Sequence, residues 1–381
     1  MKILHVIRAV ASTYGGPSIA VHQMAVGLVE QGIKVDIVST TADGNSELNV
    51  PIETPVLKNG VRYFYFPRQI GKTWCFSWPL TRWLYAHIKK YDLLHIHGTF
   101  TYPILIASQL AKRANIPYII RPAGTLDSYC IAQKAWKKQI YYQTIFQRVL
   151  KAAAAIHATS LSEQNNLVQL GVGTKTWVIP LGVNVSILKK INNQTNSPLQ
   201  LLFLSRIHPI KGLPVLFQAL AIVKTQGVSP ILTIAGDGEP DYVQKLKKML
   251  DLLDLQEQVK FIGWVQGEKK TTTFVNSHLF ILPSYHENFG IVVAEAMAVG
   301  LPVIITDQVA FSKDVLRSEA GVVVPIDSPE LLAEAILKLS DPNIREHLAH
   351  NARMLIEEEF ASTVQHRKLI NLYEKLIYES R

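Results

Sequence analysis

Short apolar runs alternate with longer stretches of helical period along most of the chain. Lys2–Ile7, Val35–Ser39, Leu93–His97, Tyr118–Arg121, Ile156–Thr159 and Trp177–Pro180 form a first series of expected strands. Leu201–Ser205, Ile231–Ala235, Val259–Ile262, Leu279–Leu282, Val303–Thr306 and Gly321–Val324 form a second. Many of these runs are continuous rather than alternating, as strands covered on both faces are. Alternation with helices predicts parallel sheets flanked by helices, an α/β class. One local unit recurs in both halves: QGIKVDIV (31–38), ANIPYII (114–120) and VGLPVII (299–305). Each places Gly or Asn at a helix end and then enters a strand. Each half is therefore expected to hold its own doubly wound sheet. The polar, Asn-rich segment NVSILKKINNQTNSPLQ (184–200) marks the boundary. The expected domains are 1–185 and 186–363, with ligands in a cleft at the carboxyl ends of the strands.

Composition narrows the class. At 381 residues, 48% hydrophobic and 18% charged, the chain suits two globular domains and not global disorder. Cys75 and Cys130 have no metal-ligand spacing, so they are expected as buried thiols in a reducing cytosol. The opening MKILHVIRAV is broken by Arg8 and followed by no cleavage pattern, so no signal peptide is expected. No stretch of spanning length is free of charge or Pro/Gly.

The net charge of +9 is uneven. Residues 1–185 hold 19 Lys+Arg against 8 Asp+Glu, and the remainder 20 against 22. The basic first half points to an anionic acceptor or an anionic lipid surface as partner. No nucleic-acid motif accompanies the charge, so nucleic acid is not expected.

The stretch SYHENFGIVVAEAMAVGLPVIIT (284–306) carries the chemistry. LFILPS (279–284) reads as a strand, YHENFG as a loop at its carboxyl end, and IVVAEAMAVG as a helix closed by Gly300. The amides of Phe289, Gly290, Ile291 and Val292 fall at the helix start, where phosphate is the usual guest. Gly290 has no side chain to block close approach. Glu287 precedes the helix and Glu295 lies in its second turn, where a carboxylate suits the vicinal hydroxyls of a ribose. Taken alone, such a pair is more often a cap and a solvated helical residue. FLSRIHPIKG (203–212) adds Arg206 and Lys211 on a strand-to-helix loop, two cations able to stabilise a phosphate leaving group. No Asp-x-Asp pair follows a strand, so no metal and no separate cofactor are expected. AGDGEPD (235–241) has two glycines after a strand, a turn signal with ligand contact as the alternative. His97, in DLLHIHG (92–98), stands at a strand end, either as a core histidine or as a donor-sugar or acceptor contact.

PSYHENFGIVVAEAMAVGLPVIITD resembles the signature of the retaining glycosyltransferases of family 4, with the GT-B fold. The resemblance extends over most of the chain. FLSRIHPIKG is similar to the family's donor-phosphate segment, and HATSLSEQNNL (157–167) and VIPLGVN (178–184) to its interdomain markers. YGGPSIAVHQMAVGLVEQGIKVDIVS (14–39) resembles its first glycine loop and helix. The resemblance implies two Rossmann-like domains facing across a cleft, an acceptor domain first and a nucleotide-sugar domain second. It implies a final helix, about 364–381, packing back on the first domain. It implies that Glu287 holds the donor sugar and Glu295 the ribose. Arg206 and Lys211 would neutralise the diphosphate, with the amides around Asn288, Phe289, Gly290 and Ile291 beside it. Gly15 and Gly16 would let the first loop approach the diphosphate. Many members carry a histidine about where Arg121 stands in YIIRPAGTLDSY (118–129). That substitution makes Arg121 a candidate for an anionic acceptor or for the donor phosphate.

Two aromatic, basic segments remain. Residues 133–155 place Trp136, Tyr142 and Phe146 among Lys134, Lys137, Lys138 and Arg148. Residues 68–90 place Trp74, Trp78 and Trp83 among cations. Each is a membrane-surface or acceptor element, or an ordinary sheet cover. The expected function is transfer of a sugar from a nucleotide diphosphate-sugar to a glycan or lipid-linked saccharide. The expected location is the cytoplasm, with peripheral contact at the inner membrane face. The rivals are a sugar-nucleotide epimerase of the same fold, a glycoside hydrolase using Glu287 and Glu295, and a non-catalytic nucleotide-sugar-binding protein.

Overall fold

The computed structural model describes residues 1–126, 141–185 and 198–380. They fall in two compact units, Met1–Gly182 with Thr363–Arg381, and Val183–Ser362. Most of the linker segment, Cys130 and Trp136 with its neighbouring lysines lie outside the described residues.

The first unit is built on strands β1 (Lys2–Ala9), β2 (Lys34–Thr40), β5 (Val56–Lys58), β6 (Val61–Phe66), β7 (Leu93–His97), β8 (Tyr118–Arg121), β9 (Ala155–Ala158) and β10 (Thr176–Val178). Between β2 and β5 lies a two-residue ladder, β3 (Ala42–Asp43) with β4 (Ser46–Glu47). The main sheet runs β10-β9-β8-β7-β1-β2-β6-β5 and is parallel except at β5. Strands β5 and β6 were not expected from the sequence. VRYFYF mixes apolar and polar positions because it lies towards the sheet margin, where Arg62 pairs at 2.7 Å with buried Asp36 of the neighbouring β2.

The second unit has β11 (Gln200–Leu204), β12 (Ile231–Ala235), β13 (Val259–Gly263), β14 (Leu279–Leu282), β15 (Val303–Thr306) and β16 (Gly321–Val324). They form a parallel sheet in the order β13-β12-β11-β14-β15-β16. In both sheets the chain winds outward on one side, then returns to the centre and winds the other way. The reversals lie at β1/β7 and at β11/β14, and such switch points are where open parallel sheets hold ligands.

One face of the first sheet packs on the helix Gly16–Glu30 and on the last helix, Ser362–Glu379. Ile3, Ile7, Val21 and Leu28 meet Leu369, Leu372, Tyr373 and Leu376 there. Four buried histidines interrupt this face: His5, His95, His97 and His157. Their tautomers follow from their partners when the rings are neutral. His157 Nε2 lies 2.6 Å from the Ile179 carbonyl, which only accepts, so Nε2 carries the proton and Nδ1 accepts from His95 Nε2 at 3.2 Å. His95 Nδ1 then accepts from the Tyr373 hydroxyl at 2.7 Å. This directed chain ties the last helix to β7 and β9 and to the loop after β10.

Burial and the nearby Arg121 guanidinium press the histidines towards neutrality. His5 and His157 are lowered to about 3, and His95 and His97 well below the usual range. The unfolded chain therefore binds protons below pH ~6.5 that the folded chain refuses. Their contribution to stability is full above that pH and is lost as pH falls towards the folded values. The slope is at most ~1.4 kcal/mol per pH unit for each group. Urea unfolding at pH 7.5 and 5.5 is expected to show a clearly lower midpoint at 5.5. Equal midpoints would mean that the histidines are not held neutral.

Candidate active site

In the second unit, β11 and β14 end side by side at the switch point, and their following loops carry the residues singled out by the sequence. The loops are joined by backbone: Tyr285 N donates to Ile210 O at 2.8 Å. Gly212, with φ +71°, sits so close that a Cβ would lie 2.0 Å from the Pro283 carbonyl oxygen. The fit between loops brings Lys211 to Glu287, and the two side chains form an ion pair that is mostly buried. Arg206 stays exposed on the same loop. His208 Nδ1 accepts from Ile210 N at 3.2 Å and caps the short turn. Burial, then Arg206 and Lys211, lower the His208 pKa.

Glu287 is also held through its backbone. Its N–H donates to Gln308 O at 3.3 Å and its carbonyl accepts from Ala310 N at 3.1 Å. Phe289 turns inward and packs on Phe311, ring centroids 4.9 Å apart. The helix Ile291–Ala298 starts after Gly290, which has φ +75° and provides no side-chain cap. Asn288 and Ile291 are half-buried at this start.

Glu295 follows on the helix, and Lys270 binds both its oxygens at 2.6 and 2.7 Å. The sequence reading treated Glu295 as a lone carboxylate, and Lys270 was missed. It lies on the separate helix Gly267–Val275, and nothing in its local pattern marks it. Gly236 and Gly238, weighed as ligand contacts, have a packing reason instead. Side chains there would lie 1.9 and 2.2 Å from the carbonyls of Ser205 and Ile207.

In the first unit, a cavity of about 340 Å³ opens at the β1/β7 switch point. Arg8, Tyr14, His97, Thr101, Arg121 and Thr125 are among its lining residues. Gly15, with φ +66°, and Gly16 begin the helix at its edge. The loop after β8 continues through Ala123 and Gly124, with φ +55° and +76°. Buried Glu163 fixes that loop: Oε1 accepts from Gly124 N at 2.7 Å, and Oε2 from Thr159 N at 2.7 Å and Thr159 Oγ1 at 3.0 Å. Glu163 had no role expected for it, though its place three residues after the capping Ser160 is a capping-box pattern.

His5, His95 and His97 lie close enough to offer three nitrogens within 4.8 Å of one another, but His5 Nδ1 and His97 Nε2 already hydrogen-bond each other at 3.0 Å. Trp83, considered for the acceptor or a lipid, is instead buried in the core on the other sheet face. Phe146 is buried there too, as a sheet-covering residue. Trp78 alone of the three tryptophans in that segment is exposed.

Two family models match consecutive parts of the chain: Glycosyltransferase Family 4 over residues 14–187 and Glycosyl transferases group 1 over residues 185–354. The chain belongs to glycosyltransferase family 4. This family 4 enzyme is 24% identical to an uncharacterised glycosyltransferase of Methanocaldococcus jannaschii over 94% of each chain. It is 25% identical to the GDP-mannose:cellobiosyl-diphosphopolyprenol alpha-mannosyltransferase of Xanthomonas oryzae, covering 89% of this chain and 87% of the relative. Among solved structures, Anabaena HepE in complex with UDP and glucose has the same fold, with a TM-score of 0.79 at 21% identity, covering 98% of this chain and 100% of HepE. The glycosyltransferase thus has the expected GT-B class, with two doubly wound α/β units.

Gly212 is the keystone of the second unit's loop pair. Gly212→Ala is expected to lower unfolding stability by ~2–3 kcal/mol, because backbone strain and the contact with Pro283 act together. Urea denaturation measures this; a change below ~0.5 kcal/mol would show that the loops accommodate a Cβ freely.

Proposed function

We propose that this glycosyltransferase moves a hexosyl group, with retention of anomeric configuration, from a nucleotide diphosphate-sugar to a glycan or lipid-linked saccharide. The product belongs to polysaccharide or glycoconjugate biosynthesis. The observation that carries the reading is the Lys211–Glu287 pair at the second unit's switch point, with Arg206 on the same loop and a helix start behind it. Cleaving a glycosyl–phosphate bond builds negative charge on the diphosphate and positive charge on the sugar. Lys211 and Arg206 meet the first, and the helix start adds to them. Glu287, relieved of Lys211 when phosphate arrives, accepts from the donor sugar's hydroxyls. Glu295 accepts from the ribose hydroxyls while Lys270 keeps it oriented.

In this reading the second unit binds donor and the first, with its cavity and basic balance, binds acceptor. Two cations perform the work a divalent ion would do, so no metal is invoked. The named activity of the Xanthomonas relative and the ligands of HepE support a nucleotide-sugar donor. Among the described residues no helix is long and apolar enough to cross a membrane. The basic first unit suits peripheral contact with an anionic surface in the cytoplasm.

Calorimetric titration with UDP, GDP and ADP is the direct test, and one of them is expected to bind clearly. Glu295→Ala is expected to weaken that binding at least tenfold, about 1.4 kcal/mol. Glu287→Ala is expected to retain nucleotide and lose about 10²–10³ in turnover. Equal affinity in wild type and Glu295→Ala would remove the ribose role. Failure of all three nucleotides and of intact nucleotide-sugars to bind would overturn the transferase reading.

A further inference from the structure

Arg121 is 1% exposed, and its Nε and Nη1 have no hydrogen-bond partner among the described residues. Glu163, whose charge acts on Arg121, has its oxygens engaged by Gly124 and Thr159. A buried guanidinium left this way is costly unless something else completes it. Arg121 lines the first unit's cavity, and further unpartnered polar atoms come from two other lining residues, His97 Nδ1 and Thr101 Oγ1. Arg8, its guanidinium 4.4 Å from the Tyr14 ring centroid, is a second lining cation. Among the described residues, none that lines the cavity is acidic. The His5–His97 bond leaves the tautomer open. When His5 Nδ1 donates to His97 Nε2, His97 Nδ1 carries a proton and becomes a donor. The cavity volume of about 340 Å³ is within the range of small-ligand sites.

We propose that this cavity is a subsite for an anionic group of the acceptor, a phosphate or a carboxylate, bound by Arg121 with His97, Thr101 and Arg8. The enzyme then selects acceptors that carry a negative charge near the hydroxyl to be glycosylated. The inference rests on the assignment of the first unit to the acceptor. It gives Arg121 a task that the family's usual histidine does not have: a fixed, buried charge lining the cavity discriminates against neutral acceptors, because those leave the guanidinium unpaired.

The test titrates the full chain with inorganic phosphate and, separately, with malonate, reading histidine ring nitrogens by NMR. Binding is expected to shift His97 Nδ1 to the protonated tautomer. It is expected to persist in the Arg206→Ala/Lys211→Ala variant and to weaken at least tenfold in Arg121→Gln. Arg8→Gln, at a half-buried position, is expected to weaken it several-fold and serves if Arg121→Gln does not fold. The stronger of the two probes assigns phosphate or carboxylate. Binding that vanishes only with Arg206 and Lys211 would place the anion in the donor site and overturn the proposal, as would a His97 signal unmoved by either probe. Nucleotide titration of the same samples separates the two readings. Nucleotide bound with no Arg121-dependent anion sinks the subsite alone. An Arg121-dependent anion with no nucleotide or nucleotide-sugar bound sinks the transferase assignment and leaves an anion site.

Discussion

The reversal of strand order in a parallel sheet is the constraint on which this molecule depends. At a reversal, two neighbouring strands send their following loops in opposite directions, and the space they leave is lined by backbone and loop side chains. Each unit has one reversal, and the chemistry-bearing residues gather there. In the second unit the loops after β11 and β14 supply Arg206, Lys211 and Glu287. In the first, the ends of β1 and β7 supply Arg8 and His97, and β8 adds Arg121. The rest of the structure serves to hold these ends in place. Gly212 packs one loop against another, Phe289 anchors the loop after β14 in the core, and Glu163 pins the loop after β8.

The strands were readable because both faces are covered. Continuous apolar runs such as Leu279–Leu282 and Val303–Thr306 have the same bounds in sequence and structure. The pattern failed where burial is partial. Val56–Lys58 and Val61–Phe66 lie towards one side of the sheet, and their mixed composition hid them. The pattern left Trp83, beside Arg82, open between a surface aromatic and a sheet cover; Trp83 is the sheet cover, and only the charged neighbour faces outward.

The site residues were readable in proportion to how local their chemistry is. Arg206, Lys211, Glu287 and Gly290 belong to two short loops whose spacing survives folding. Lys270 and the histidine relay do not. Their meaning comes from register: His5 pairs with His95 across β1 and β7, and His97 with Arg121 across β7 and β8. Sequence separation conceals such pairs, and each histidine alone looks like a residue at a strand end. Tyr373 joins them from the far end of the chain, 278 positions from His95.

The two switch points treat charge in opposite ways, and the difference bears on what each can bind. In the second unit every half-buried acid of the proposed site has a cation: Lys211 for Glu287 and Lys270 for Glu295. Such pairs compensate charge in a partly dry site, and they can be exchanged when a ligand brings its own phosphates and hydroxyls. In the first unit the cation is buried with neutral histidines around it. Burial lowers Arg121 only to about 10, so it remains charged near neutrality while its neighbours do not. The histidines therefore supply polarity without adding to the positive charge, and the field in the cavity is that of the Arg121 and Arg8 guanidiniums. A neutral ligand gains little from that field, whereas an anion gains both its Coulomb energy and the hydrogen bonds the protein leaves unmade. Selection at such a floor works by the penalty for leaving Arg121 unpaired, and it needs no contact beyond those the cavity already presents.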